Sequence, residues 1–346
     1  MNDARLMRQP DINGNLIAFV YAGDIWTVDA DGGNAKRLTS HPGIELFPKI
    51  SPDGQWIAFS AEYSGSRQVW VIPAQGGTAR QLTFYNSVGV MPPRGGFDHV
   101  VLDWTPDSKR VLFRANRTAF GDRNGRYFTV ALEGGFEEPL PIVNGGFATF
   151  SPDGTELCFT GRATELWSYD LTNNTSRQVT QWNGSDQWPV WYGNHIYYAS
   201  DRDTRLNIWR HDLATGQDEQ ITRHGDFDVR GPSASNGRLV SELGGSLRVL
   251  DLATGADRKI TVGIHYDNPH LHAHFKNVKE HIGSYTLSPT GKRALFEARG
   301  DIFSVPTDKG EVQNLTNTQG VREIAPTWSP DGKQIAFYSD ATGEYE

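Results

Sequence analysis

The chain of 346 residues carries a single cysteine, Cys158, so no disulfide can form within it and a reducing compartment is its natural setting. Cys158 sits in the apolar run Leu157-Cys158-Phe159, where a buried, inert thiol is expected rather than a nucleophile. No stretch approaches 18 consecutive apolar residues, which excludes a membrane-spanning helix. The opening residues, MNDARLMRQPDING, lack the apolar core and small-residue cleavage site of a secretory leader, and a cytoplasmic protein is expected. The net charge of -8 is scattered, with no basic stripe and no interleaving of basic and aromatic residues, so a nucleic-acid partner is not expected.

Catalytic signatures are missing too. No serine has both glycines of a G-x-S-x-G elbow, and there is no HExxH, no phosphate-binding P-loop and no G-x-G-x-x-G. No catalytic residue and no cofactor is therefore assigned. Glu137-Glu138 invites a glycosidase reading, but retaining chemistry needs two carboxyls about 5–5.5 Å apart in one pocket, and chain neighbours point apart. A solvated turn is expected there. The sign-alternating stretch Asp201-Arg202-Asp203-Thr204-Arg205 is expected to lie in a loop between strands and to pair locally rather than to bind an anion. One metal-like pattern exists: His270, His272 and His274 would share a face of an extended segment and suit zinc. A His-rich linker explains the same residues, and no metal is assigned.

What the chain has is turns, aromatics and repetition. Its 37 glycines and 18 prolines suit tight turns, and 10 Trp, 12 Tyr and 17 Phe supply faces for a sheet-based core. One turn signal recurs as Ser51-Pro52-Asp53-Gly54, Thr105-Pro106-Asp107-Ser108, Ser151-Pro152-Asp153-Gly154, Ser288-Pro289-Thr290-Gly291 and Ser329-Pro330-Asp331-Gly332. Proline presets the φ of a type I turn, the hydroxyl bonds back to the backbone, and glycine tolerates positive φ. These turns resemble the Asp boxes of sialidases, which are themselves structural. Apolar strands such as Trp56-Ile57-Ala58-Phe59 and Ile335-Ala336-Phe337 follow.

A third strand then carries an aromatic marker at Trp26, Trp70, Phe128, Trp167, Trp209 and Phe303, with Arg248 in the same slot of the sixth unit. A polar strand closes each unit, ending in pairs such as Leu38-Thr39, Leu82-Thr83, Val179-Thr180 and Ile221-Thr222. Four strands per unit, at a spacing of roughly 40 residues, describe the blades of a β-propeller. Two longer loops, Phe84 to Phe97 and Ala115 to Arg126, are candidate contact loops.

The rhythm breaks after the sixth unit. The expected fold is all-β: a six-bladed propeller of four-stranded antiparallel blades over residues 1–262, a linker over 263–282, and over 283–346 the first blade and a truncated second blade of a following propeller. A single seven-bladed ring with a ragged tail is the alternative. Blade one holds its own innermost strand around Leu6 to Asp11, which argues against strand exchange at closure.

The tandem SPDG-x-x-I-A-F and D-I-W-x-x-D units resemble the propeller repeats of TolB proteins and of propeller-bearing peptidases. The likeness sharpens at EARGDIFSVP (Glu297 to Pro306), Asn314-Leu315-Thr316, Gly320-Val321-Arg322-Glu323 and Pro326-Thr327-Trp328-Ser329-Pro330-Asp331-Gly332. That run resembles the opening of the second propeller of the tricorn protease family, as Asp24-Ile25-Trp26 and Arg37-Leu38-Thr39 resemble its first blade. The resemblance implies a cytoplasmic, hexameric serine peptidase that degrades oligopeptides, with the six-bladed propeller as an access or exit channel for peptides. Its catalytic residues lie in C-terminal domains with no counterpart here, so none is carried over. A TolB-like interaction scaffold and the propeller of a prolyl-oligopeptidase-type enzyme are the other readings.

Overall fold

Each recurring turn folds into one local device. In the computed structural model, which describes residues 3–85, 99–116, 125–142, 144–161, 164–267 and 276–346, the Ser51 hydroxyl meets Asp53 Oδ1 at 2.5 Å and accepts the Trp56 N–H at 3.0 Å. Thr105, Ser151 and Ser329 repeat both contacts. Gly54, Gly154 and Gly332 stand at φ 72°, 75° and 68°, where a side chain would be strained. The hydroxyl bond, joined by a backbone N–H, holds the Asp107, Asp153 and Asp331 carboxyls below their ordinary range. These aspartates fasten turns.

The Leu-Thr endings have an equally specific cause. Thr39, Thr83, Thr180, Thr222 and Thr316 each accept, through Oγ1, the N–H of a residue near the start of the third strand: Ile25, Val69, Leu166, Ile208 and Ile302, at 2.8 to 3.1 Å. The polar outer strand is thereby clasped to an apolar one. The aromatic markers keep one register throughout. Trp26 lies opposite Phe19 and Arg37, Trp70 opposite Phe59 and Gln81, and Trp209 opposite Tyr198 and Gln220.

The described residues divide into two compact units, Met1–Tyr266 and Asp267–Glu346. The first holds six antiparallel four-stranded sheets, each made from four strands consecutive in its ladder. Their innermost strands are Arg8–Asn13, Glu45–Ile50, Val100–Trp104, Ala148–Phe150, Asp186–Tyr192 and Val229–Ser235. Each inner strand neighbours the next, and the last neighbours the first. Blade one does carry its own innermost strand, so no strand is exchanged. The ring is closed instead by Val262–Gly263 pairing in parallel with Gly33–Asn34, by the Ala4 N–H bonding Val262 O at 2.8 Å, and by a Lys259–Asp3 ion pair.

The core follows the same arithmetic. Six apolar clusters form, one for each face between successive blades. At the closing face Phe19, Trp26 and Val28 of blade one pack on Val240, Leu247 and Val249 of blade six. The second unit holds a four-stranded sheet, Ile282–Leu287 through Gln313–Asn314, and a two-stranded one, Glu323–Trp328 with Ile335–Ser339. No helix among the described residues is long and apolar enough to cross a membrane.

One buried acid marks the entrance of an inner strand. Glu45 is fully buried and takes the Thr39 hydroxyl at 2.9 Å. Burial, reinforced by nearby Asp24 against the bonds from Tyr63 and Thr39, pushes its carboxyl up to about 7. The fold therefore holds this proton more tightly than the unfolded chain does. Its stabilising effect is complete below the ordinary carboxyl range and is lost as pH rises through about 7. Glu45→Gln should flatten the fall of stability between pH 5 and pH 8, gaining on the order of 1–3 kcal/mol relative to the native chain at the alkaline end. Urea unfolding across that range checks it, and parallel pH profiles would refute it.

Candidate functional site: the axial tunnel

All six inner strands run the same way along the axis, so residues equally far from the following turn lie at the same depth. They line a cavity of about 540 Å³. Four of these strands contain proline at one position, as Gln9-Pro10, Phe47-Pro48, Trp188-Pro189 and Gly231-Pro232. The residue before each proline stands at φ 51° to 54°, and the strand register slips there. Proline disfavours a helical conformation before it, so each site is a built β-bulge; at Gln9, Phe47 and Trp188 the L-residue at positive φ is strained and its side chain is turned, while Gly231 takes the same φ without strain.

The side chains at this depth are Gln9, Phe47, Val101, Phe147, Trp188 and Gly231, blade by blade, and all line the cavity. Three are aromatic and they touch. The ring centroids of Phe47 and Phe147 are 6.1 Å apart, and those of Phe147 and Trp188 are 5.7 Å apart. The Arg114 guanidinium lies 5.8 Å over Phe147. This belt covers one side of the axis at that depth. Gln9, whose Oε1 accepts the Phe47 N–H at 2.8 Å, and Gly231 occupy the other.

Two residues further along each strand lies a charged waist. Lys49 Nζ donates to Asp11 Oδ1 at 2.9 Å, and Asp11 also accepts the Ser233 hydroxyl at 2.8 Å and the Ile50 N–H at 2.8 Å. Asp103 repeats the pattern two interfaces on, accepting the Phe150 N–H and the Thr149 hydroxyl, both at 2.9 Å. Burial works against the Lys49 charge, but Asp11 and Asp103 outweigh it and hold the ammonium above its usual range. Burial likewise pushes the Asp103 carboxyl up, although Lys49 and the N–H groups of Phe150 and Trp104 oppose the rise. The waist holds two carboxyls to one ammonium.

Other candidates fall away from this axis. Cys158 is fully buried, and burial pushes its thiol far above the usual range, which suits an inert core residue. Glu138 faces Arg110 at 2.9 Å while Glu137 faces His99 at 3.8 Å, so the two acids serve different partners. Arg202 is locally paired: it bonds Asp186 at 3.0 Å and Asp218 at 2.6 Å and lies over the rings of Trp209, Tyr198 and Trp182. Its place is inside the strand His195–Asp203, not in a loop. His270, His272 and His274 lie outside the described residues, as do 86–98 and 117–124 of the two long loops. Among the described residues no group of three or more His, Cys, Asp or Glu is placed to hold a metal.

The lining residues themselves escaped the sequence reading. Their signal was the proline that recurs three residues before the turn, readable once the turns serve as a ruler.

Comparison with known proteins agrees with this geometry. Residues 4–256 match the family described as the tricorn protease N-terminal beta propeller domain. The chain is similar to tricorn protease homolog 1 of Streptomyces coelicolor, at 27% identity over 98% of this chain and 32% of that protein. It is also similar to a tricorn protease homolog of Saccharolobus solfataricus, at 24% identity over 94% of this chain and 31% of that protein. The crystal structure of the tricorn protease superposes with a TM-score of 0.76 at 19% identity, covering 96% of this chain and 33% of that one. The chain thus spans about a third of the length of these relatives.

If the waist fastens the ring, Asp11→Ala should strand the Lys49 ammonium and free the Ile50 N–H together. We expect a loss of roughly 2–5 kcal/mol, read as a lower denaturation midpoint. A change within about 0.5 kcal/mol would mean the knot is ornamental.

Proposed function

The chain belongs to the tricorn protease N-terminal β-propeller family, and from that premise we propose that it is the non-catalytic propeller region of a tricorn-like, cytoplasmic serine protease that degrades oligopeptides. Its role is to pass or hold peptides on the axis and to help assemble the parent protein, a homo-oligomer of the hexameric kind. Residues 283–346 are the opening blades of a second propeller, joined through 263–282. The observation that carries the reading is the axial cavity. Its volume of about 540 Å³ falls in the range that encloses small ligands, of roughly 300–1,000 Å³.

The chemistry of the lining fits handling rather than cleavage. Its acids, Asp11, Asp103 and Glu242, accept backbone N–H groups, and Asp11 also holds Lys49. Of its hydroxyls, Thr149 and Ser233 donate to Asp103 and Asp11 and Ser151 to Asp153, and no described histidine lines the cavity to take a hydroxyl proton. Binding here is steric and electrostatic.

The chain alone should therefore bind short oligopeptides without hydrolysing chromogenic ones. Calorimetry with a peptide mixture and a release assay with p-nitroanilide substrates measure the two parts. Absence of any peptide binding would refute the reading. So would turnover that survives repurification and a serine-protease inhibitor.

A further inference from the structure

We propose that the aromatic belt is a recognition site for one aromatic side chain of a bound peptide, seated against Phe47, Phe147 and Trp188 in the open part of the axis. The inference rests on the peptide-handling reading and sharpens it from a passage filtered by width to a site that reads side chains. Three observations converge. First, the belt is half-buried: its rings contact one another at 6.1 and 5.7 Å yet keep surface toward the lumen. Those separations are the range in which aromatic pairs attract, so a fourth ring can extend the chain of edges and faces.

Second, the rings are held by strained backbone. Phe47 and Trp188 stand at φ 54° and 51°, each directly before a proline. Strain of this kind persists where the surroundings over-determine it, and it collects at binding sites. Phe47 and Phe147 rest one side on the inter-blade clusters and keep the other toward the lumen, so the belt is braced from behind.

Third, the opposite wall is open. A Cβ on Gly231 would meet nothing closer than Pro10 Cδ at 3.8 Å, so no neighbour crowds the lumen there. Gln9 offers a side-chain amide beside the gap.

The waist just beyond decides what else is refused. The lining's arginines, Arg8 and Arg230, adjoin Gln9 and Gly231 in the chain, but at the waist itself the charged side chains are Asp11, Asp103 and Lys49, and an acidic side chain there would lose water and meet the Asp11 carboxylate. An alanine side chain would fit but leave the rings uncovered. Aromatic residues are accepted, small ones weakly, acidic ones not.

Calorimetric titration of the intact chain with three blocked tripeptides tests this, the central residue of glycyl-X-glycine being phenylalanine, alanine or glutamate. The phenylalanine peptide should bind roughly tenfold tighter than the alanine peptide, and the glutamate peptide should give no heat. Trp188→Ala should abolish that tenfold preference. Should that variant not fold, by circular dichroism and thermal melting, Phe47→Leu and Phe147→Leu keep apolar volume while removing rings, and each should reduce the preference. Equal binding of the phenylalanine and alanine peptides, or a preference that survives loss of the rings, overturns the aromatic site and leaves the peptide-handling reading standing. Failure of every peptide to bind overturns both.

Discussion

The carboxylate of Asp11 is where this molecule's ring is tied. It comes from blade one, yet its two oxygens bond the Ser233 hydroxyl of blade six and the Ile50 N–H and Lys49 ammonium of blade two. Residues more than 200 positions apart in the chain therefore meet on one group. A propeller stays open until its last blade finds its first, and closing so long a loop carries an entropic cost that contacts must offset. The parallel pairing of Val262–Gly263 with Gly33–Asn34 closes the ring from its rim, while Asp11 closes it from the axis. The antiparallel ladders could not do this, since they run within blades.

The dependence of each blade on its neighbours is visible in one tripeptide met twice. Ile57-Ala58-Phe59 in blade two is entirely buried, with apolar clusters on both faces of its sheet. Ile335-Ala336-Phe337 in the second unit has the same residues after the same turn, yet its phenylalanine is 36% exposed and its alanine lies in the open. Sequence and local conformation are shared, so burial is contributed by adjacent blades. The hydrophobic term that stabilises the fold belongs to pairs of blades, in the manner of other repeat proteins.

This division explains what could be read from the sequence. Turn residues, the aromatic register and the Leu-Thr clasp are local, repeat every blade, and announce the fold through their spacing. Arg202 was legible as a paired group but its partners were not: Asp186 and Asp218 each lie 16 residues away, outside the alternating stretch. The axis was not legible in the same way. Asp11, Lys49 and Asp103 look like ordinary surface charges in a strand, and only the ring brings them together. Phe47, Phe147 and Trp188 share a depth but not a residue type with Gln9, Val101 and Gly231, so no consensus pointed to them. Prolines were counted as turn residues, although four of them sit in the middle of inner strands. Proline is admissible there because an inner strand is the edge of its own sheet and has no partner on the axial side.

That edge is also where the blades are free to differ. Along the rest of each blade the register and the neighbouring cluster dictate a residue's character, and the six blades agree closely. On the axial edge no sheet partner constrains the chain, and the blades diverge: glutamine, aromatic, valine, aromatic, aromatic and glycine at one depth. A uniform sieve would need only six similar side chains around its bore. The rings are instead gathered on blades two, four and five, with the gap on blades six and one. An asymmetric lumen in a pseudo-symmetric scaffold distinguishes one side of a bound chain from the other, which a round pore cannot do. The ring therefore supplies rigidity through its repeats, and the proposed selectivity rests where the repeats differ, at the bulges that break the strand ladder.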